Sequence, residues 1–170
     1  MSDRLARWNA LARSEAIEEI LPCCGSKAWA DQMVARRPID SEAALLAVCD
    51  EVWRNLAQLD WIEAFLSHSR IGELRAPAGA EGLSASWSGE EQRRVTTSSE
   101  EIKRALAEGN RAYEKRFNRI FIVCATGKSA PDILEILRRR LRNDDRAELL
   151  EAAEEQRQIA HIRLKKWLGT

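Results

Sequence analysis

Apolar residues recur along most of this chain at steps of three and four, a period that restricts it to helices packed on helices. Leu45, Val48, Cys49, Val52 and Leu56 share one helix face after the start signal Asp40-Ser41, and Pro38 separates that segment from the one before. Ser26 caps a helix carrying Trp29 and Met33 on one side, while Trp61, Ala64 and Phe65 mark a shorter helix running into His68. Ile102, Leu106, Tyr113 and Phe117 form another stripe, in which Gly109 weakens the helix by about 1 kcal/mol relative to alanine. Pro131, in the first turn after Ser129, opens a helix whose Ile133, Leu134, Ile136, Leu137 and Leu141 oppose the run Arg138-Arg139-Arg140. That run reads as solvated surface, because Asp144, Asp145 and Glu148 offset its charge and weaken a phosphate-binding alternative. The last helix, from about 146 to 168, aligns Leu149, Ala152, Ala153, Gln156, Ala160, Arg163, Leu164 and Trp167. Arg163 therefore faces inward, where it meets a buried acid, covers the stripe with its stem, or reaches an anionic ligand. His161 lies on the face of Glu154, Arg157 and Lys165 and reads as a solvated histidine.

One run breaks the helical pattern. Residues 120 to 125, Ile-Phe-Ile-Val-Cys-Ala, are β-rich and apolar on both sides, yet no second convincing strand is present to pair with them. The run reads as a mainly extended segment, or a buried helical turn, threading the interior. Extended backbone there leaves amides and carbonyls without a ladder, and a bound polar ligand is one candidate partner for them. The expected fold is all-α: a single-domain helical bundle over 1–170 with a short extended buried segment near 120–125.

At 170 residues the chain closes a core without metals or disulfides. Its 27 Lys+Arg balance 27 Asp+Glu, which leaves no global field for nucleic acid. No run approaches the roughly 18 to 20 apolar residues of a membrane helix, and the charged start Met1-Ser2-Asp3-Arg4 is unlike a signal peptide, so the expected location is the cytoplasm. Cys23, Cys24, Cys49 and Cys124 lack Cys-x-x-Cys spacing and read as reduced, mostly buried small residues, with no metal site expected.

Chemistry is concentrated at His68-Ser69-Arg70-Ile71-Gly72 and Ser88-Gly89-Glu90-Glu91-Gln92. Imidazole exchanges a proton near neutral pH, and a carboxylate brought beside it sets its tautomer or shares its work. The bland reading makes His68 a helix cap and Ser88 the N-cap of the next helix, with Glu91 three positions on completing a capping box; Gly79 to Ser88 is then the loop between the clusters. Phosphate loops, zinc His-Glu-x-x-His patterns and nucleophile elbows are absent from the sequence. A competing class is a helical adaptor domain in which Trp8, Trp53 and Trp61 include partner contacts.

Taken together, Cys24-Gly25-Ser26-Lys27-Ala28-Trp29 with Met33, the His68 to Gly72 cluster, Trp87 to Gln92, Asn110 to Phe117, Phe121 to Lys128, and Ile162-Arg163-Leu164 resemble the OHCU decarboxylase family from about Asn9 to Leu168. OHCU is 2-oxo-4-hydroxy-4-carboxy-5-ureidoimidazoline. The resemblance implies an all-helical fold, usually a homodimer, and a carboxy-lyase that uses no metal or organic cofactor. Its reaction converts OHCU to (S)-allantoin and carbon dioxide, the last step from urate to allantoin. The catalytic histidine of the family maps onto His68, and Ser88, Glu91 and Gln92 onto its substrate-contacting serine, glutamate and glutamine. The substrate-lining apolar segment maps onto Phe121, Ile122, Val123, Cys124 and Ala125, and the inward arginine onto Arg163. Where the family commonly carries proline after the histidine, this chain has Ser69, which keeps a hydrogen-bonding group at the substrate. A related lyase acting on another ureido or imidazoline acid is the alternative that Ser69 leaves open.

Overall fold

Serine hydroxyls open several of the helices. In the computed structural model, which describes residues 2–72, 83–96 and 98–170, Ser2, Ser26, Ser41, Ser99 and Ser129 each accept a backbone N–H three residues on. The helices are α1 (Asp3–Ala10), α2 (Arg13–Ile20), α3 (Lys27–Ala35), α4 (Glu42–Asn55), α5 (Gln58–Leu66), α6 (Leu83–Glu91), α7 (Arg93–Thr96), α8 (Glu100–Phe117), α9 (Ala130–Arg140) and α10 (Asp145–Leu168). A 3-10 turn, Leu21–Cys23, follows α2, and no strand occurs among the described residues. The chain packs as two compact units: one runs to Ala64 and resumes with Arg157–Thr170, and the other spans Phe65–Gln156.

The first unit is organised around tryptophan. Trp8 is fully buried, meets Trp167 edge-on at 5.8 Å and donates its indole N–H to the Ala16 carbonyl at 2.9 Å. Arg37 lies over the Trp8 ring and donates to the carbonyls of Trp8 and Leu11 at 2.6 and 3.0 Å, satisfying the end of α1. Trp53 is buried and its carbonyl takes the Trp61 indole N–H at 2.9 Å. Trp8 and Trp53 build the interior and Trp61 is half-buried against Trp53, which removes the main support for an adaptor surface made of Trp8, Trp53 and Trp61. His161 is not a solvated histidine: its Nε2 lies 2.6 Å from Asp50 Oδ1, which also accepts from Arg157 at 2.9 Å.

All four cysteines are buried. Burial raises each thiol above its ordinary value, Cys49 to about 12, so at neutral pH they stay protonated and poor as nucleophiles or metal ligands.

In the second unit α8 and α9 pack at close range. A Cβ on Gly109 would stand 2.5 Å from Leu137 Cδ2, so the glycine that weakens α8 locally is what lets α9 approach. Arg140 corrects the reading of the arginine run as surface. Arg138 and Arg139 are exposed, but Arg140 is fully buried, because it sits three residues after Leu137 and seven after Ile133 on the apolar face. Its guanidinium pairs with the equally buried Glu148 at 2.5 and 2.9 Å, and Tyr113 Oη donates to the same carboxylate at 2.5 Å. The segment 120–125 is neither helix nor strand, and residues 121 to 125 are all buried.

Candidate active site

The His68 turn is held from three directions. His68 lies two residues past the end of α5, its N–H donating to the Phe65 carbonyl at 3.1 Å, and its side chain is buried. Arg70 forms a bidentate pair with Glu114 at 2.5 and 2.9 Å, the Ile71 carbonyl accepts from Asn110 Nδ2 at 2.9 Å, and the Gly72 N–H donates to Gln92 Oε1 at 3.0 Å. Asn110 and Glu114 stand one turn apart on α8, so a single helix face fixes two of the three points. Gly72 has φ of +87°, a left-handed value that glycine adopts without strain. Ser69 is half-buried beside the histidine.

Ile71 belongs to an apolar cluster with Val95, Leu106, Tyr113, Phe117, Phe121, Val123 and Ala125. The turn and the 121–125 segment therefore share one core. Phe121, Val123 and Ala125 enter that cluster at a period of two, as an extended chain requires. On the intervening residues the backbone is taken up by side chains: Arg140 Nη1 donates to the Ile122 carbonyl at 2.6 Å, Glu155 Oε2 accepts the Cys124 N–H at 2.6 Å, and Lys128 Nζ donates to the Cys124 carbonyl at 2.6 Å. The Ala125 carbonyl accepts from the Lys128 N–H at 3.0 Å. The missing ladder is thus replaced by this chain's own groups. Burial pushes the Cys124 thiol up, Lys128 opposes that, and Glu155 and Glu91 add to it.

Of the residues singled out in the sequence, His68, Ser69, Glu91, Gln92 and Phe121 to Ala125 belong to the second unit. Gln92 is buried, and its carbonyl oxygen is committed to Gly72. Ser88 is not an N-cap: it lies inside α6, which begins by Leu83, so the expected capping box and the loop reading of 83–88 are both overturned. Its side chain lies outside the described residues, as does the 79–82 part of that loop. Trp87, 9% exposed, anchors α6 where the serines and Gly89 favour helix poorly. Arg163 belongs to the first unit, fully buried, with Nη1 directed to the Pro22 carbonyl at 3.4 Å. Sequence reasoning missed Arg140, Asn110 and Glu155. Of these, two carried a signal: Asn110, a polar residue four positions from Leu106 on the apolar stripe of α8, and Arg140, spaced three and seven residues from Leu137 and Ile133.

A family model described as OHCU decarboxylase matches residues 9–165. The chain belongs to the OHCU decarboxylase family. The "Uric acid degradation bifunctional protein TTL" of Arabidopsis thaliana is 35% identical over 145 residues, 85% of this chain. The chain spans 44% of that relative's length. A crystal structure of OHCU decarboxylase in the presence of (S)-allantoin matches with a TM-score of 0.76 at 30% identity, covering 90% of this chain and 99% of that one. A crystal structure of (S)-allantoin synthase shares the fold, with a TM-score of 0.71 at 15% identity over 96% of this chain and 53% of that one. No helix described is long and apolar enough to cross a membrane.

Proposed function

We propose that this chain removes carbon dioxide from OHCU to give (S)-allantoin, with His68 and Glu91 as the catalytic pair. The observation that carries the reading is the three-point bracing of the His68 turn on the same apolar cluster as the 121–125 segment. Such bracing holds the backbone at residues 70 to 72, just after His68, and a fixed backbone next to a titratable ring favours the alignment that proton transfer needs.

OHCU carries its carboxylate on the ring carbon that also bears the hydroxyl, beside a ring C=N bond. Breaking the bond to carbon dioxide sends its electron pair toward that C=N, so negative charge collects on ring nitrogen and is neutralised there by a proton. A second proton reaches the ureido-bearing carbon, and the hydroxyl loses its own as it becomes the carbonyl. His68, backed by Glu91, moves the proton between that hydroxyl and carbon, a role worth about 10²- to 10⁴-fold in rate. Delivery from one side sets the handedness of the product.

The wall contributes binding. Arg140, Glu155 and Lys128 engage the polar groups of Ile122 and Cys124, and the alternation of an extended chain turns the N–H and C=O of Val123 to the opposite edge. That donor–acceptor pair matches the ring and ureido amides of OHCU. Gln92 offers its amide NH2 to the substrate while its oxygen holds Gly72. Ser69 and Ser88 supply hydroxyls. The reading extends to a cytoplasmic homodimer working without metal or organic cofactor, as the family resemblance implies.

The test is to generate OHCU enzymatically from urate and follow optical rotation with and without the protein. Rapid formation of the (S) enantiomer is expected. Decay at the spontaneous rate to racemic allantoin overturns the reading.

A further inference from the structure

We propose that Glu155 is a positioning residue of this reaction: it fixes the backbone of Ile122 to Cys124 from α10, and with it the Val123 edge that meets the substrate. The inference rests on the decarboxylase reading above and adds a residue outside the set that the family resemblance marked.

An extended segment in a helical protein has no neighbouring strand to define its course, so side chains must supply what a ladder would. Two anchors from separate helices do so here. From α9, Arg140 holds the Ile122 carbonyl at 2.6 Å and lies over the Phe121 ring at 4.7 Å. Arg140 is itself held by Glu148, whose carboxylate also takes Tyr113 Oη and Asn143 Nδ2 at 2.5 and 2.9 Å. From α10, Glu155 accepts the Cys124 N–H at 2.6 Å, a charge-assisted bond two residues along the same edge. Lys128 closes the far end on the Cys124 carbonyl at 2.6 Å.

The two anchors differ in what their loss would do. Removing Arg140 strands a fully buried Glu148 and threatens the fold. Glu155 is half-buried, so its removal strands no buried charge and frees the Cys124 amide to shift. A shift on the order of 1 Å in a group that orients substrate costs about 10²-fold in rate.

The experiment compares the full chain carrying Glu155→Ala or Glu155→Gln with the unaltered protein, measuring kcat and KM on OHCU, hydrogen exchange at the Cys124 amide, and Tm. Glu155→Ala is expected to lower kcat/KM by roughly 10- to 100-fold, mostly through kcat, with faster exchange at Cys124 and Tm little changed. Glu155→Gln is expected to recover activity to within about 3-fold, because its carbonyl oxygen accepts the same N–H. An alanine variant that turns over like the unaltered protein, or a glutamine variant as slow as alanine, overturns the inference. If the alanine variant does not fold, the glutamine variant decides alone: near-normal turnover with a protected Cys124 amide supports the role, and loss of either overturns it. An unaltered protein idle toward OHCU is a separate result, since it removes the decarboxylase reading and the inference together.

Discussion

The Asp50–Arg157 pair of the first unit leaves 26% and 25% of its side chains exposed, whereas Arg140 and Glu148 of the second unit leave none. Charge at a half-exposed site is screened by water and carries little stability. Charge in a dry interior costs several kcal/mol per ion to desolvate and survives only when every lone pair and proton finds a partner. Glu148 meets that condition, with Tyr113, Arg140 and Asn143 all donating to it. The partner Arg140 then holds the Ile122 carbonyl. The contrast teaches that the second unit carries its costly charge where a ladderless segment has to be fixed.

The sharpest way to break this contrast is to remove one buried partner. Arg140→Ala should lose about 3 to 5 kcal/mol of stability, read from the urea midpoint, because it leaves the Glu148 carboxylate unpaired in a dry site. Replacing both partners, Arg140→Met with Glu148→Leu, should recover only part of that stability, because Tyr113 Oη and the Ile122 carbonyl then lose their buried partners, and turnover of OHCU should stay low, since nothing then holds the Ile122 carbonyl. Full activity in the double variant would separate the ion pair from the site. Gly109→Ala tests the packing beneath the same wall. The new methyl collides with Leu137, a cost of about 1 to 3 kcal/mol that helix propensity offsets by about 1, so a modest net loss in thermal midpoint is expected.

The smallest effect belongs to the first unit. Asp50→Asn should cost about 0.2 to 1 kcal/mol, within reach of a careful denaturation series. Burial alone would raise the Asp50 carboxyl, but the Arg157 hydrogen bond and the neighbouring His161 outweigh it and hold the group below its ordinary 3.8. A carboxyl lowered on folding adds stability above its unfolded value and loses it as pH falls through the folded one. The difference in urea midpoint between the unaltered protein and Asp50→Asn should therefore be constant near neutral pH and shrink below about pH 4. A gap that widens on acidification would contradict this.

The helices were legible because their apolar faces and serine caps are local signals: Ser26, Ser41 and Ser129 each act within three residues of themselves. The 120–125 segment was legible for the same reason, as a run that fits no helix face. What the sequence hid was long-range or masked by its neighbours. His161 looks solvated along its own helix, and its partner Asp50 is 111 residues away. Arg140 sits behind two exposed arginines that resemble it, although its spacing from Ile133 and Leu137 was the clue. Helix α6 was hidden by Gly and Ser, whose local preference for loops is overridden where Trp87 is buried. Glu155 gave no sign, because nothing local distinguishes a carboxylate that accepts one backbone N–H from its solvated neighbours on α10.

The proposed decarboxylation depends most directly on His68, and the decisive measurement is kcat on freshly generated OHCU for His68→Asn, taken beside its circular dichroism and Tm. A folded variant with turnover reduced by about 10²-fold or more is predicted. A folded variant that converts OHCU as fast as the unaltered protein, with the same (S) product, would contradict the account.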